Sequence, residues 1–182
     1  MKAVMISAQP KWCEKIASGE KTIEVRKTRP KIDTPFKCYI YFTKKKRLLA
    51  IFRKGDYIFS DDPEAGKFDE TIFVKGDYYW SGKVIGEFVC DRIYDITPHC
   101  DIPTFVNQYE CDWKYGEAEH CLSFDELKAY LNTKNGYGWH ISNLVIYDEP
   151  KELREFFAPI GKRPSYMLER PPQSWQFVEE KE

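Results

Sequence analysis

Three stretches rich in apolar and aromatic side chains predict strands, in which successive side chains fall alternately on two faces. The first covers residues 2–7, the second residues 36–42, and the third and longest residues 83–96. Between the first two, apolar residues recur at helical spacing. We expect this helix to start at Pro10 and to end at Gly19, which suits a left-handed C-terminal turn. The pattern therefore predicts an α+β fold in which an early helix delivers the chain into another strand.

The second half of the chain predicts two more helices and a closing strand. Ser123 and Glu126 have the spacing of a capping box, which marks a helix start. Residues 139–147 predict a strand, and a last helix is expected after Asp148. Residues 162–182 begin with a proline-rich segment and are predicted to lie extended over the surface. The apolar stripe of the capped helix comprises Phe124, Leu127, Tyr130 and Leu131.

Residues 43–83 predict a β-hairpin insertion. Gly55-Asp56 and Gly76-Asp77 each lie between two aromatic-rich arms, and a Gly-Asp pair in this setting is a hairpin signal. The segment between the two hairpins is acidic.

The octet of residues 19–26 carries the most concentrated chemistry. If it is extended, its two branched apolar residues, Ile23 and Val25, share one face, and polar residues occupy the other. An ammonium, a carboxylate and a guanidinium then lie within roughly 15 Å of strand. Two interpretations stay open: a solvated face that only aids solubility, and a functional site. The charged side chains concerned are Lys21, Glu24 and Arg26.

The octet Gly19-Glu20-Lys21-Thr22-Ile23-Glu24-Val25-Arg26 resembles the G-x-K-x-x-E-x-R signature of the ASCH domain, a branch of the PUA-like superfamily. Residues 7–16 look like the first helix of that family, and residues 82–88 look like its later barrel strand. Residues 139–144 and 170–175 look like segments of the longer ASCH proteins of bacteria and their prophages.

This resemblance implies a fold and a domain organisation. It implies a small PUA-like β-barrel flanked by short α-helices, formed by a single domain over residues 1–182. Residues 43–83 would then be an insertion into the barrel, and residues 162–182 an extended C-terminal tail.

The resemblance also implies a binding function. PUA domains bind RNA, and ASCH domains are proposed to bind RNA in a cleft beside the first helix. The partner is then RNA or a modified nucleoside, held as a single-stranded or flipped base. A stacking face would come from Trp12 or Trp139. The residues expected to contact phosphates are Lys21, Arg26, Lys27 and Arg29.

An enzymatic function is the alternative. One small bacterial ASCH family hydrolyses the acetamide of N4-acetylcytidine and is assigned a Lys, a Thr and a Glu. The Lys falls on Lys21, the Thr position is Glu24 here, and Glu87 on the later strand is the nearest equivalent of the Glu. A carboxylate would then activate water, with Lys21 assisting. Other ASCH proteins are ribonucleases, which is a second enzymatic possibility. A third interpretation of the charged side chains is that they form a purely structural ion pair.

Composition narrows these possibilities. With 42% hydrophobic residues the chain is globular, and it lacks the run of about 18 apolar residues that a membrane span needs. We expect a cytoplasmic monomer with no membrane partner and no cofactor. Residues 1–59 carry a net charge of +10 and residues 60–182 of −11, and the run Lys44-Lys45-Lys46-Arg47 is basic. A basic N-terminal part suits an anionic partner, unless folding mixes the two halves.

The remaining motifs predict no metal site and no common hydrolase. Six cysteines form no C-x-x-C pair, and reduced thiols are expected. No phosphate-binding glycine loop, G-x-S-x-G or H-E-x-x-H pattern occurs. One cluster has residue types that suit zinc but a spacing that matches no finger, so scattered or buried thiols are the preferred interpretation. Its members are His99, Cys100, Cys111, His120 and Cys121.

Overall fold

The computed structural model describes residues 3–44, 49–53, 56–60, 73–74, 81–97, 104–106, 117–132, 134–160 and 163–180. The helices are α1 (Pro10–Ala17), α2 (Glu117–His120) and α3 (Phe124–Leu131), with a 3-10 turn at Leu153–Glu155. The strands are β1 (Ala3–Ala8), β2 (Ile23–Arg26), β3 (Phe36–Phe42), β4 (Leu49–Arg53), β5 (Asp56–Ser60), β6 (Phe73–Val74), β7 (Lys83–Cys90), β8 (Ile93–Thr97), β9 (Thr104–Val106), β10 (Gly136–His140), β11 (Ser142–Glu152), β12 (Phe156–Ile160), β13 (Arg163–Met167) and β14 (Trp175–Glu180).

These strands form three sheets. The largest has seven strands in the order β11-β7-β3-β1-β14-β12-β13, the second has the order β2-β10-β8-β9, and the third β5-β4-β6. Strand β1 pairs parallel with β3 and antiparallel with β14. Within the described residues, no ladder joins the outer strands β11 and β13. The α+β class is therefore confirmed, but the sheets are open and do not form the closed barrel that was predicted.

Two of the strands predicted for the barrel are interrupted in the structure. The strand predicted over residues 83–96 is interrupted at Asp91–Arg92, and the strand predicted over residues 139–147 is interrupted at Ile141. At each break the chain passes between the seven-stranded and the four-stranded sheet. Each predicted strand is thus two strands that belong to different sheets.

The core has three parts. The first cluster lies on one face of the seven-stranded sheet and includes Val4, Ile6, Ile16 and Trp139. The second lies on the opposite face and includes Met5 and other alternate residues. The third lies between β2, β8 and α3 and includes Ile23, Val25, Tyr94, Ile96, Leu127 and Leu131.

The two strongest helix predictions are confirmed. Helix α1 starts at Pro10, and Gly19 just beyond it adopts φ +79°, a left-handed conformation that glycine tolerates best. At the start of α3, Glu126 N–H donates to Ser123 Oγ at 3.2 Å, and Ser123 N–H donates to Glu126 Oε2 at 2.9 Å. The predicted capping box is therefore complete.

The prediction of a last helix after Asp148 is wrong. That stretch continues β11 to Glu152, makes one 3-10 turn and becomes β12. Strand pairing outweighs the local helical pattern, because Phe157 of β12 is opposite Met167 of β13 on one side and Glu179 of β14 on the other.

The C-terminal segment predicted as a surface tail is also strand-forming. Strand β14 lies inside the seven-stranded sheet between β1 and β12, with Val178 opposite Ala3. The tail therefore completes the sheet, and the connecting segment before β14 reaches the region of the octet.

Most of the predicted insertion lies outside the described residues. Strands β4 and β5 pair antiparallel with Arg53 opposite Asp56, and β6 pairs with β4. The second predicted hairpin is described only at Phe73–Val74. None of the described helices is long and apolar enough to cross a membrane.

Candidate functional site

Strand β2 places the octet at the junction of two sheets. It is the edge strand of the four-stranded sheet, and Glu24 is opposite Trp139 of β10. Ile23 and Val25 pack in the third cluster, as the alternation predicts. The polar face is buried too, because Glu24 and Arg26 are each only 6% exposed. Burial to this extent excludes the interpretation that the polar face is a solvated surface.

Glu24 lies between two cations. Its Oε1 atom is 2.7 Å from Arg26 Nη2, and its Oε2 atom is 3.4 Å from Lys21 Nζ. Lys21 Nζ also donates to the backbone carbonyl of His120 at 2.7 Å. With Lys21 protonated, the cluster holds two positive charges and one negative charge, so it favours an additional anion or partial negative charge.

Arg26 connects three segments that are far apart in sequence. Its Nη2 atom donates to Ser7 O at 2.9 Å, and its Nη1 atom donates to Ser174 O at 3.1 Å. Arg26 Nε is buried without a hydrogen-bond partner among the described residues. The guanidinium therefore ties the end of β1 and the segment before β14 to the octet.

Burial sets the protonation behaviour of Lys21. The side chain is only 3% exposed, and its backbone N–H donates to Lys15 O at 2.8 Å, which fixes the bend after α1. Burial lowers the pKa of Lys21 below its usual value, and the attraction of Glu24 opposes this effect only in part. An amine of this kind loses its proton more readily than a surface lysine.

The lowered pKa of Lys21 predicts a change of stability with pH. Between its folded-state pKa and the unfolded value of about 10.4, the unfolded chain binds more protons, so the free energy of unfolding rises with pH in that window. Lys21→Met should remove this rise, and the native protein should gain stability relative to the variant as pH approaches about 10.4. Urea unfolding at stepped pH measures the difference.

Lys15 provides the control for this experiment. Its hydrogen bond to Glu20 raises the pKa of Lys15, so the effect of pH on stability has the opposite sign. The stability that Lys15 contributes is present below its unfolded pKa and is lost as pH rises above that value. Below about pH 10.4, the free energy of unfolding of the native protein should therefore not rise relative to that of Lys15→Met. Parallel curves for native protein and Lys21→Met would contradict the assignment of a lowered pKa.

The buried cluster opens into a cavity of about 850 Å³, here called the motif cavity. Its walls come from the end of β1, from α1, from β2, from α3 and from the segment before β14. It combines a charged end with aromatic and amide side chains. The lining residues that carry the argument are Trp12, Lys21, Glu24, Arg26, Lys27 and Tyr130.

The aromatic side chains of the motif cavity carry cations over their rings. Lys11 Nζ is 4.6 Å and Lys21 Nζ 5.2 Å from the centroid of the Trp12 ring, and Lys27 Nζ is 5.1 Å from that of Tyr130. Cation–π contact and stacking use the same ring faces. Of the three lysines, Lys11 and Lys27 are exposed and can yield their places to a ligand.

Several residues of the cavity were not singled out from the sequence. Tyr130 was predicted only as part of the apolar stripe of α3, yet it is 37% exposed and lines the cavity. Burial raises the pKa of Tyr130, so its hydroxyl stays protonated over a wide pH range. Gln173 and Ser174 also line the cavity, and no sequence pattern places their segment beside β2.

The other predicted binding residues are placed differently. Lys27 is exposed at the cavity, whereas Arg29 is exposed outside it, 5.6 Å from the ring centroid of Tyr137. Trp139 is fully buried between Phe36 and Trp175 and presents no face to a ligand.

Glu87 is not brought to the motif cavity. It is opposite Tyr39 in the ladder of β3 and β7, on the sheet face that carries the second core cluster. Its carboxylate lies 2.7 Å from Lys37 Nζ and accepts from the Tyr147 hydroxyl at 2.6 Å. Burial raises the pKa of Glu87, but the hydrogen bonds from Lys37 and Tyr147 outweigh it, so the net pKa is below the usual value. Glu87 thus remains an ionised partner of Lys37.

The possible zinc cluster is described only in part. His99, Cys100 and Cys111 lie outside the described residues. His120 Nδ1 accepts from the backbone N–H of Leu122 at 3.1 Å. Within the part of the chain that the structure describes, no group of three or more His, Cys, Asp or Glu side chains is arranged to hold a metal ion.

Comparison with known proteins supports the fold. No protein-family model and no curated protein matches the sequence. Among solved structures, an ASCH protein from Zymomonas mobilis is similar, with a TM-score of 0.50, 17% identity, and coverage of 97% of this chain and 87% of that chain. A Tyr-to-Phe variant of the same protein gives a TM-score of 0.50, 16% identity, and coverage of 98% and 91%.

These similarities define the chain as a protein with the ASCH fold. The resemblance found in the octet is thereby confirmed at the level of the fold. The octet itself supplies the buried cluster of Lys21, Glu24 and Arg26 at the end of the motif cavity.

Proposed function

We propose that the motif cavity binds one nucleotide of a single-stranded RNA, or a modified nucleoside. The observation that carries the proposal is the buried Lys21–Glu24–Arg26 cluster at the end of a cavity of about 850 Å³. Pockets for small molecules and cofactors span about 300–1,000 Å³, so the volume suits a nucleoside.

Each part of the cavity has a role in this proposal. Trp12 and Tyr130 offer ring faces on which a base can stack. The buried cations donate to base carbonyls or ring nitrogens, and Glu24 accepts from exocyclic amines. Lys27, exposed at the cavity, contacts a phosphate. A base that is unpaired exposes both its ring faces and its polar edge, so single-stranded RNA fits this arrangement best.

The phosphate contact can be tested with a pair of lysines. Lys27→Ala should weaken binding of a short oligouridylate and reduce the magnitude of the salt slope by about 0.7, the value for one phosphate contact on a single strand. Lys31→Ala removes the same charge from an exposed residue that does not line the cavity, and should leave the slope unchanged. Isothermal titration calorimetry between about 50 and 200 mM salt measures both slopes.

Three results would contradict the proposal. The native protein would bind no oligouridylate and no nucleoside, the two variants would change the slope equally, or Lys27→Ala would leave it unaltered. Equal changes would mean that general surface charge, and not the motif cavity, holds the RNA.

Hydrolysis is a second candidate function, supported by the lowered pKa of Lys21. A neutral amine beside the carboxylate could take a proton from water while the oxygen adds to an amide carbon, and the departing amine would then receive that proton. Both carboxylate oxygens of Glu24 are already engaged by cations, at 2.7 Å from Arg26 Nη2 and 3.4 Å from Lys21 Nζ, so Lys21 is the better placed group for this step. Acetate release from N4-acetylcytidine in the same protein samples would favour this function over binding alone.

The finer features that the resemblance implies remain proposals. These are the single domain over residues 1–182 with its 43–83 insertion, the PUA-like relationship and the similarity to longer bacterial and prophage proteins. The monomeric state, expected separately from the resemblance, is a proposal as well.

A further inference from the structure

A second cavity, of about 690 Å³, lies beside the motif cavity. Thr43 lines both of them. The segment 171–174 also serves both, because Pro171 lines the second cavity while Gln173 and Ser174 line the motif cavity. The residues of the second cavity that matter here are Tyr41, Thr43, Lys44, Arg154, Glu169 and Pro171.

Hydrogen bonds hold the two parts of the chain that line both cavities, the segment 171–174 and Thr43. The Ser7 hydroxyl donates to Pro172 O at 2.6 Å, and Ser7 N–H donates to Ser174 O at 3.0 Å. Arg26 donates to the same Ser174 carbonyl. The backbone of Thr43 is held in turn by its N–H, which donates to Ala8 O at 3.0 Å. The two cavities therefore keep a fixed position relative to each other.

The second cavity carries two available cations. Lys44 and Arg154 are exposed, and neither has an ion-pair partner among the described residues. The aliphatic chain of Lys44 lies against Gly82, where an added Cβ would overlap Lys44 Cε. Of the two carboxylates present, Glu152 is neutralised by Lys83 at 3.3 Å, which leaves Glu169 against two cations. The balance is positive, and an arginine is well suited to phosphate.

We propose that the second cavity binds the neighbouring nucleotide of the RNA strand whose first nucleotide occupies the motif cavity, with Lys44 and Arg154 contacting its phosphate. This inference rests on the proposed function of the motif cavity. The link between the two nucleosides lies over Thr43, the residue common to both cavities. Lys44 also opens the basic run noted in the sequence, and this site gives that first lysine a role.

Calorimetry with uridine monophosphate and with a diuridylate tests the proposal. The native protein should bind the dinucleotide about tenfold more tightly than the mononucleotide, as one added charge-assisted contact implies. The double variant Lys44→Ala/Arg154→Ala should lose the extra affinity for the dinucleotide, while its affinity for the mononucleotide stays unchanged. Lys31→Ala/Lys134→Ala, which removes two exposed lysines outside both cavities, should keep the gain. Thermal melting of each variant confirms that it folds.

The possible failures are distinguishable. If the native protein binds both ligands equally, or if the Lys44/Arg154 variant weakens both equally, the second cavity is not a nucleotide site and the motif cavity keeps its proposed function. If the native protein binds neither ligand, the second-cavity proposal is overturned, and the proposed function falls with it when oligouridylate and nucleosides also fail to bind. If the control variant loses the gain as well, the gain comes from general charge, and the second-cavity proposal is overturned.

Discussion

Replacing Arg26 with methionine should lower the free energy of unfolding by about 3–5 kcal/mol, the usual effect of removing one partner from a buried ion pair. Arg26 is 6% exposed, pairs with Glu24 at 2.7 Å, and donates to Ser7 O and Ser174 O. The variant leaves the carboxylate with only the longer contact to Lys21, and it leaves two carbonyls without that donor. Chemical unfolding in urea measures the loss.

A double-mutant cycle separates the ion pair from the other contacts of Arg26. Glu24→Gln and Arg26→Met should each destabilise the protein, and the double variant should lose less than the two losses combined. Lys37→Met is the matched control, because Lys37 and Glu87 are 2.7 Å apart but their side chains are 35% and 22% exposed. That pair should contribute only about 0–1 kcal/mol. A loss for Arg26→Met as small as this would mean that water reaches the cluster and that the site is not buried.

The octet illustrates what a sequence pattern can and cannot predict. Strand periodicity correctly separated Ile23 and Val25 from Glu24 and Arg26, because side chains in any strand alternate. It did not predict that the polar face is buried. That outcome depends on Trp139 of β10 and on the segment before β14, which are more than 100 residues away in sequence.

Strict alternation along residues 83–96 would group Glu87 with Ile85, and a β-bulge explains why this is not observed. In the ladder with β3, Gly86 is opposite Ile40, but the next pair is Val84 with Tyr41, so Ile85 is an extra residue. Beyond the bulge the faces exchange, and Glu87 lies on the face opposite to Ile85. Gly86 permits the close approach of β11, where an added Cβ would overlap Val145 O. Nothing in the local sequence marks this extra residue.

The local signals of helices were more informative than those of long-range pairing. Pro10, Gly19 and the Ser123–Glu126 capping box act within one turn, and each was predicted correctly. Strands β12 and β14 form because distant strands offer them hydrogen bonds, which a window of sequence does not contain. The motif cavity depends on both kinds of information, so its charged end was predicted while Tyr130 and Ser174 were not.

Two tryptophans that the sequence did not distinguish should respond differently to substitution, one through stability and the other through binding. Trp139 is fully buried, with ring centroids 5.7 Å from Phe36 and 6.1 Å from Trp175, so Trp139→Ala should lower the free energy of unfolding by about 3–5 kcal/mol. Trp12 is half-buried on α1 and lines the motif cavity. Trp12→Ala should reduce oligouridylate affinity by about 10–100-fold, the effect of losing one stacked base.

The comparison of Trp12 with Trp139 tests the stacking role, because the two variants remove the same side chain. Lys11, which is exposed, should leave the Trp12 ring when a base stacks there, so Lys11→Ala should not weaken binding as Trp12→Ala does. Trp12→Phe keeps a ring and should restore most of the affinity. If Trp12→Ala unfolds as readily as Trp139→Ala, or binds RNA as tightly as the native protein, Trp12 is a packing residue, and the base must stack on Tyr130 alone.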